Sequence, residues 1–433
     1  VPDNPKIVCD VAIVGGGSAG IGAAVGAAEH GARVVLIERS GVLGGAATLS
    51  NVHTLCGLYH PDMGRPATYV NGGFAARFAE AIADRDGQTQ PVTAGRVRYL
   101  PHHPQTFATV AKQLVQEAGD IVTLFESDCV AIDEDRDQSR WQVSVSDHAG
   151  SHQIDAAAVV DSSGNAVVAR LLGREQDSAI TPAERLQRPA YVFSIGEVSN
   201  EFRLDDPTRL QMAATIAGAV GRGQLRREML GAAFRPSVNL GEVFATIDLE
   251  AGQNEWQPDD PDCRKAIETL GRKLAIELVQ FLREALPQAF SGCASPSLPL
   301  HAGIRESWHW VGRATLEESD ILSSRRSPED VALGSWPIEL REDARGPKLG
   351  FPDQPEPYGI PLGCLTAKTR DGLYFAGRCA SASHRAMASL RVMGTGLATG
   401  QAAGIAAAIS AEGADPFASK SLTMIQRRVI GVH

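Results

Sequence analysis

Two strand–glycine-turn–helix patterns, one near each end of a 433-residue chain, predict an α/β fold. A Rossmann-like nucleotide-binding domain is then assembled from both chain ends. A third observation, the change of character from Arg174 to Arg345, predicts an inserted α+β cap that faces the substrate. That stretch holds most of the tryptophans and many charges. Residues 1–60, 99–173 and 346–433 are assigned to the nucleotide-binding domain, and residues 61–98 and 174–345 to the cap. The length suits two or three such units.

The elements follow in chain order. Ile7 to Val14 is apolar and β-branched, as a strand buried on both faces requires. Gly15 to Gly20 breaks it, and Ser18 to His30 is an Ala- and Gly-rich helix able to pack closely on a sheet. Gly31 ends that helix and Arg33 to Ile37 supplies the next strand. Pro104 to Glu117 has helical spacing. Val122 to Phe125, Cys129 to Asp133 and Trp141 to Ser146 alternate like an antiparallel meander, and Ala156 to Val160 is a short buried strand. Cys263 to Ala285 is helical within the cap. Pro352 to Pro361 connects cap to core. Beyond Leu373 come a strand, a glycine turn and a long helix of small residues.

Composition removes several classes of function. Hydrophobic residues make up 43% and charged residues 21%, so the chain is neither disordered nor fibrous. The net charge of −10 is the wrong sign for a general nucleic-acid binder. Seven cysteines stand singly with no CxxC pair, which argues against a disulfide framework, an iron–sulfur cluster or a zinc site. No metal is expected, and a reducing, cytoplasmic compartment is. The visible N-terminus has no basic or apolar leader region, although the chain does not begin with Met and a removed leader stays open. The longest apolar run, Thr395 to Ala411, falls short of the roughly 20 residues that span a bilayer, and is expected to be a buried helix rather than a membrane contact.

The chemistry is carried by glycines. In Gly15-Gly-Gly17-Ser18-Ala19-Gly20 the first allows the tight strand-to-helix turn, the second lets backbone approach a pyrophosphate, and the third permits close helix–sheet packing. The helix that opens at Ser18 offers free N–H groups and a positive dipole end to phosphates. Glu38 lies eighteen residues beyond Gly20, near the spacing of a carboxylate that binds a ribose hydroxyl. After Arg39 a second doublet, Gly44-Gly45-Ala46 with Thr48, sits where a cofactor continues past its adenosine half, as FAD does towards its flavin. The turn Asp161-Ser-Ser163-Gly164-Asn165 could lie over the phosphate loop. Gly377 lets the chain pass close to the ribityl and pyrophosphate region, and Arg378 could counter phosphate charge. Val130, at the start of the meander, and Gly396, in the C-terminal helix, complete the predicted cofactor set. The domain built from both ends is thus expected to be an FAD-binding domain.

With these segments in hand, the chain resembles the FAD-dependent oxidoreductase family of two-dinucleotide-fold flavoproteins, related to fumarate reductase and succinate dehydrogenase flavoprotein subunits. The likeness includes His301-Ala-Gly-Ile-Arg305-Glu-Ser307, Tyr358-Gly-Ile-Pro361, Gly377-Arg-Cys-Ala-Ser381-Ala-Ser-His384 and Ser389-Leu-Arg391-Val-Met393. It implies a non-covalent FAD gripped by both ends of the chain, with substrate between flavin and cap. It also implies that the helix opening near Thr395-Gly396 points its positive end at the flavin. Two positions depart from the pattern: Arg378 stands where many relatives carry an acid, and Asn165 where many carry Asp.

Flavin chemistry needs a substrate held near N5 and often a proton acceptor. Arg391 is the candidate orienting residue, placed where fumarate reductases put a substrate-carboxylate arginine; a structural role is the alternative. His384 is the candidate proton acceptor or a structural hydrogen-bonder. Arg305 meets the substrate or pairs with Glu306. His53 and Cys56 could anchor the flavin covalently, or be ordinary buried residues. The expected function is FAD-dependent oxidation or reduction of a small organic substrate by hydride transfer to or from N5. The alternatives are a flavin monooxygenase and a flavin-bearing subunit that works with a macromolecular partner.

Overall fold

The structure, a computed structural model, describes residues 6–135, 137–173, 178–179, 186–250, 256–258, 260–343 and 346–431. The predicted cap boundaries, Arg174 and Arg345, lie outside the described residues. The central sheet has the strand order 121–124, 34–37, 7–14, 150–161, 140–147, 128–135, with Leu373–Phe375 also paired to Gly150–Asp161. Its β-branched first strand, Ile7–Val14, lies in the middle with parallel neighbours on both sides. Gly150–Asp161 changes partner along its length. Its first half pairs antiparallel with Arg140–Asp147, and Val159 to Asp161 pair parallel with Leu373–Phe375. The C-terminal strand thereby joins the N-terminal sheet.

Two expectations need correction here. Ile121–Leu124 is a parallel edge strand beside Val34–Ile37, outside the meander, so the alternation in that stretch reflects an edge position with one face partly exposed. The buried strand at 156–160 is the end of a longer one, Gly150–Asp161, whose first residues are polar because only its second half is enclosed.

The abundance of Ala and Gly at both ends has one cause. The first helix, Ser18–Ala28, lies against the C-terminal helix, Met393–Ala411, with backbone touching backbone. A Cβ at Gly22 would meet Leu397 O at 2.3 Å, and one at Gly404 would meet Ala23 O at 2.0 Å. Larger side chains would hold the helices apart and forfeit the dispersion contacts of a close-packed interior.

Around these helices lies the first core. It takes in Phe74, Phe78 and Ile82 of the helix Phe74–Arg85, together with Val331, Ala332 and Leu340. The helix in segment 61–98, and part of the chain after 315, were expected in the cap, yet they pack on this core. An amphipathic stripe of Phe and Ile fits any apolar surface, so it does not identify its own domain.

A second core belongs to the inserted segment. Ala190–Ile195, Val243–Asp248 and Ala233–Pro236 form an antiparallel sheet in the order 190–195, 243–248, 233–236. The helix Pro261–Ala285 covers it, burying Ile267, Gly271, Leu274 and Leu278 along one face. Asp260 caps that helix by accepting from the N–H groups of Asp262 (2.8 Å) and Cys263 (3.4 Å), and Pro261 follows at its first position.

Among the described residues no single helix is long and apolar enough to cross a membrane. His384–Leu390 and Met393–Ala411 are long and apolar enough only when taken together, and they meet at 95°. All seven cysteines are free, and no group of three or more His, Cys, Asp or Glu among the described residues could hold a metal.

Candidate cofactor and substrate site

The glycine turn adopts its shape for steric reasons visible atom by atom. Gly15 has φ +99°, in the region that favours glycine, and a Cβ there would sit 2.8 Å from Ser162 O. A Cβ on Gly20 would lie 1.7 Å from Gly15 O, so Gly20 serves the turn rather than the cavity wall. Gly17 differs: the nearest atom to an added Cβ is Gly45 Cα at 4.0 Å, and the open side is a cavity. Glu38 is buried at the end of the second strand. It accepts from Gly16 N–H at 2.7 Å through one oxygen, and from Ser40 N–H and Oγ at 2.7 Å each through the other. The carboxylate therefore ties the glycine turn to the following loop.

The second doublet docks on the first. Gly44 N–H donates to Gly16 O at 2.9 Å, and a Cβ on Gly45 would come within 3.1 Å of Gly17 Cα. Above them lies the turn after Gly150–Asp161. Ser162 Oγ donates to Val14 O or Gly15 O, and Ser163 Oγ donates to Asp161 Oδ1 at 2.6 Å. Gly164 (φ +76°) leaves room for Arg378, whose Nη2 would be 2.5 Å from a Cβ at that position. Burial pushes the Arg378 guanidinium below its ordinary pKa, and its Nη1 is a buried atom with no hydrogen-bond partner among the described residues.

These segments enclose one cavity, and two helices aim their N-termini at it. Ser18 and Ala19 line it from the first helix; Val392, Met393 and Gly396 line it from the last. Neither N-cap, Gly17 nor Val392, has a side chain that caps the helix. The leading N–H groups of each helix are thus available to an anion.

The structure brings together most of the sequence-predicted site. Gly15, Gly17, Ser18, Ala19, Glu38, Arg39, Gly45, Ala46, Ser163, Gly164, Gly377, Arg378, Gly396 and Arg391 line the cavity. Gly20 and Gly44 shape its walls from behind, and Thr48 donates to Gly45 O from outside it. Val130 is 48% exposed beside a bulge between Cys129 and Ala131, and it is its neighbours Asp128 and Cys129 that reach the cavity. His53 and Cys56 lie off the wall. The His53 ring stacks on Phe244 at 4.0 Å and burial holds its pKa well below the ordinary value, while burial pushes the Cys56 thiol up to about 11.

Two predicted catalytic residues are placed elsewhere. His384 is buried, with Nδ1 2.7 Å from Glu306 Oε1, and it does not line the cavity. Arg305 does not pair with Glu306. It bonds Asp248 at 2.7 Å and donates to Arg188 O at 2.6 Å, while Glu306 accepts from Gln187 N–H at 3.1 Å and meets His384.

Arg391 lies at the end of a buried charge network. Asp248 sits between Arg305 (2.7 Å) and Arg341 (2.8 Å), and Arg341 also pairs with Glu339 at 2.8 Å. Arg391 Nη2 donates to Glu339 O at 3.2 Å, and its Nε is buried without a partner among the described residues. Burial drives the Asp248 and Glu339 carboxyls up, but the surrounding arginines pull both below the usual range. Burial lowers Arg391, with Glu339 opposing it. Three guanidiniums share two carboxylates.

Of the remaining wall, the sequence marks only the segment His301-Ala-Gly-Ile304, and assigns it no place in the cavity. Trp256, Arg264, Glu268, His301, Ala302 and Ile304 close the cavity from the cap side. Arg264 and Glu268 are one turn apart on the cap helix and share a face, a spacing readable in the sequence but common on any solvated helix.

A glycine-walled cavity with two uncapped helix ends and a buried, unpartnered guanidinium defines a protein built around a dinucleotide cofactor. The match to a family model agrees: the model for FAD dependent oxidoreductases covers residues 10–428, and the chain belongs to that family. It is an FAD-dependent oxidoreductase, and FAD is its cofactor.

No match to a curated protein sequence is found. Similar solved structures include a geranylgeranyl bacteriochlorophyll reductase-like protein from Thermoplasma acidophilum, at 12% identity and TM-score 0.48, covering 98% of this chain and 84% of that one. OxyS anhydrotetracycline hydroxylase from Streptomyces rimosus has 15% identity and TM-score 0.48, covering 97% and 65%. The p-nitrophenol 4-monooxygenase PnpA from Pseudomonas putida DLL-E4 has 12% identity and TM-score 0.44, covering 99% and 91%.

Proposed function

We propose that this enzyme oxidises or reduces a small organic molecule held between the core and the inserted cap, with non-covalent FAD as the redox group. Residues 190–302 would form the cap proper, and the two chain ends the FAD-binding domain. The single observation that carries the reading is the cavity itself. Its cofactor wall comes from the core, and its remaining wall comes from cap residues Trp256, Glu268 and His301.

FAD, when bound, supplies hydride acceptance or donation at N5. The protein's residues do the rest. Gly17 and Gly45 give backbone close access to the pyrophosphate, and Arg378 and the two helix ends offset its charge. Glu38 faces the cavity with both oxygens already bonded by backbone and Ser40, so the ribose hydroxyls would share a fixed carboxylate. Arg391, with an unpartnered Nε at the cavity wall, would orient the substrate. The net charge of −10 favours a small substrate over a nucleic acid.

Two outcomes test this. In Gly17→Val the side chain would fill the open side of the turn, and the purified variant is expected to carry no flavin, read as lost absorbance near the yellow flavin band. A yellow, active variant would refute the role. Arg391→Met is expected to retain FAD but slow anaerobic, substrate-driven flavin reduction by about 10²-fold, the scale of losing substrate alignment. Unchanged single-turnover rates would remove Arg391 from the site. Flavin that stays attached after acid precipitation would show a covalent link. Oxygen insertion into product at the expense of NAD(P)H would instead establish a monooxygenase.

A further inference from the structure

His301 and Glu268 form a dyad on the cap side of the cavity. His301 Nδ1 lies 3.0 Å from Glu268 Oε1, both residues line the cavity, and their side chains are 44% and 33% exposed. The backbone that carries the ring is held from two directions. His301 N–H donates to Leu49 O at 2.8 Å, fastening it to the loop after the second glycine doublet. Two residues on, Gly303 exchanges backbone hydrogen bonds with Ala190 at 2.7 and 2.8 Å, fastening the segment to the edge of the cap sheet. Glu268 itself is fixed on the long cap helix.

We propose that His301, oriented by Glu268, is the group that exchanges a proton with the substrate, a role expected for His384 but not matched by its position. The inference rests on the flavoenzyme reading above. With Nδ1–H donated to Glu268, Nε2 carries the lone pair and is the nitrogen open to proton transfer. During oxidation the substrate C–H bond breaks and its hydride passes to FAD. The substrate O–H or N–H bond breaks and its proton passes to His301 Nε2. A C=O or C=N bond forms, FAD gains two electrons, and the imidazolium is stabilised by the Glu268 carboxylate. Substrate reduction is the reverse. This matches a substrate class of alcohols or amines and their carbonyl or imine products. The charged residues that share the cavity with the ring are Glu268 and Arg264 from the cap helix and Glu38, Arg39, Asp128, Arg378 and Arg391 from the core; Arg305, on the ring's own segment, pairs with Asp248.

The test needs no substrate. FAD-loaded protein is titrated spectroelectrochemically between about pH 5 and 8, the range in which histidine changes charge. The slope of midpoint potential against pH gives the protons taken up per two electrons. Reduced flavin takes one proton at N5 and, towards the acid end of this range, a second at N1, so the wild type and His301→Gln are compared at each pH. In the wild type His301 offers a further proton site beside the new negative charge, and proton uptake per two electrons is expected to exceed that of His301→Gln at the same pH. Glu268→Gln is expected to reduce that excess. On the apo protein, nitrogen-15 shifts should show the Nδ1–H tautomer of His301, lost or mixed in Glu268→Gln. Identical slopes in the wild type and His301→Gln, with FAD bound in both, would overturn the dyad's role. Failure of the wild type to bind FAD would overturn the underlying reading instead.

Discussion

Gly400→Val is expected to destabilise the core strongly and to abolish flavin binding. A Cβ at position 400 would lie 2.0 Å from Ala19 O and 2.8 Å from Ala19 C, and these are backbone atoms that cannot rotate away. Relief requires the first and last helices to separate. Ordinary overpacking costs about 1–3 kcal/mol when side chains can rearrange. Here the obstacle is main chain, so the cost lies at or above the top of that range, against a typical net stability of about 5–15 kcal/mol. The functional damage is also direct, since Ala19 lines the cavity and the two helix ends that face it would move apart. Thermal unfolding by circular dichroism and a flavin-binding titration report the two effects. Gly221→Ala is the control: it ends a cap helix, nothing lies within 4 Å of its added Cβ, and it should be neutral or slightly stabilising. A Gly400→Val protein with a wild-type midpoint would show that the helix contact does not hold the two ends together.

The cofactor wall was readable in the sequence because its determinants are local. The roles of Gly15, Gly17 and Gly20 depend on backbone geometry within six residues, and Glu38 follows at a spacing fixed by one helix and one strand. The small-residue helix at the C-terminus announced a close helix contact by composition alone. The pairings of the candidate acid–base residues were not readable, because they span the chain and depend on which way a side chain turns. His384 meets Glu306 across 78 residues, and His301 meets Glu268 across 33. The motif around Arg305 and Glu306 was visible, but the fold gives the two side chains different partners. Nothing local distinguishes that outcome from a pair formed between them. That the helix Phe74–Arg85 packs on the first core was hidden for a related reason: its apolar face states that it is buried but not in which core.

Asp248→Ala is expected to loosen the cap while leaving the core folded. Asp248 is 1% exposed and lies between Arg305 and Arg341, so its removal strands two buried guanidiniums around Glu339 alone. Removing one partner of a buried ion pair costs about 3–5 kcal/mol, because the opposite charge stays behind unsatisfied. The loss falls on the seam. Asp248 ends a strand of the cap sheet, Arg341 belongs to the segment that returns to the core, and Arg391 immediately precedes the cavity-lining residues Val392 and Met393. Limited proteolysis should cut the variant within residues 186–302 under conditions that leave the wild type intact, and flavin affinity should fall less than cap stability. The same network sets an acid limit. The arginines hold Asp248 and Glu339 below their unfolded values, so their stabilisation is fully present above about pH 4 to 4.5, the unfolded carboxylate range, and is lost as pH falls towards the lower folded values. Urea unfolding of the wild type should therefore weaken progressively below that range. Asp248→Asn should weaken less steeply with acid, having one depressed carboxylate fewer to protonate. Equal acid slopes in the two proteins would mean that the cap is not fastened through this carboxylate.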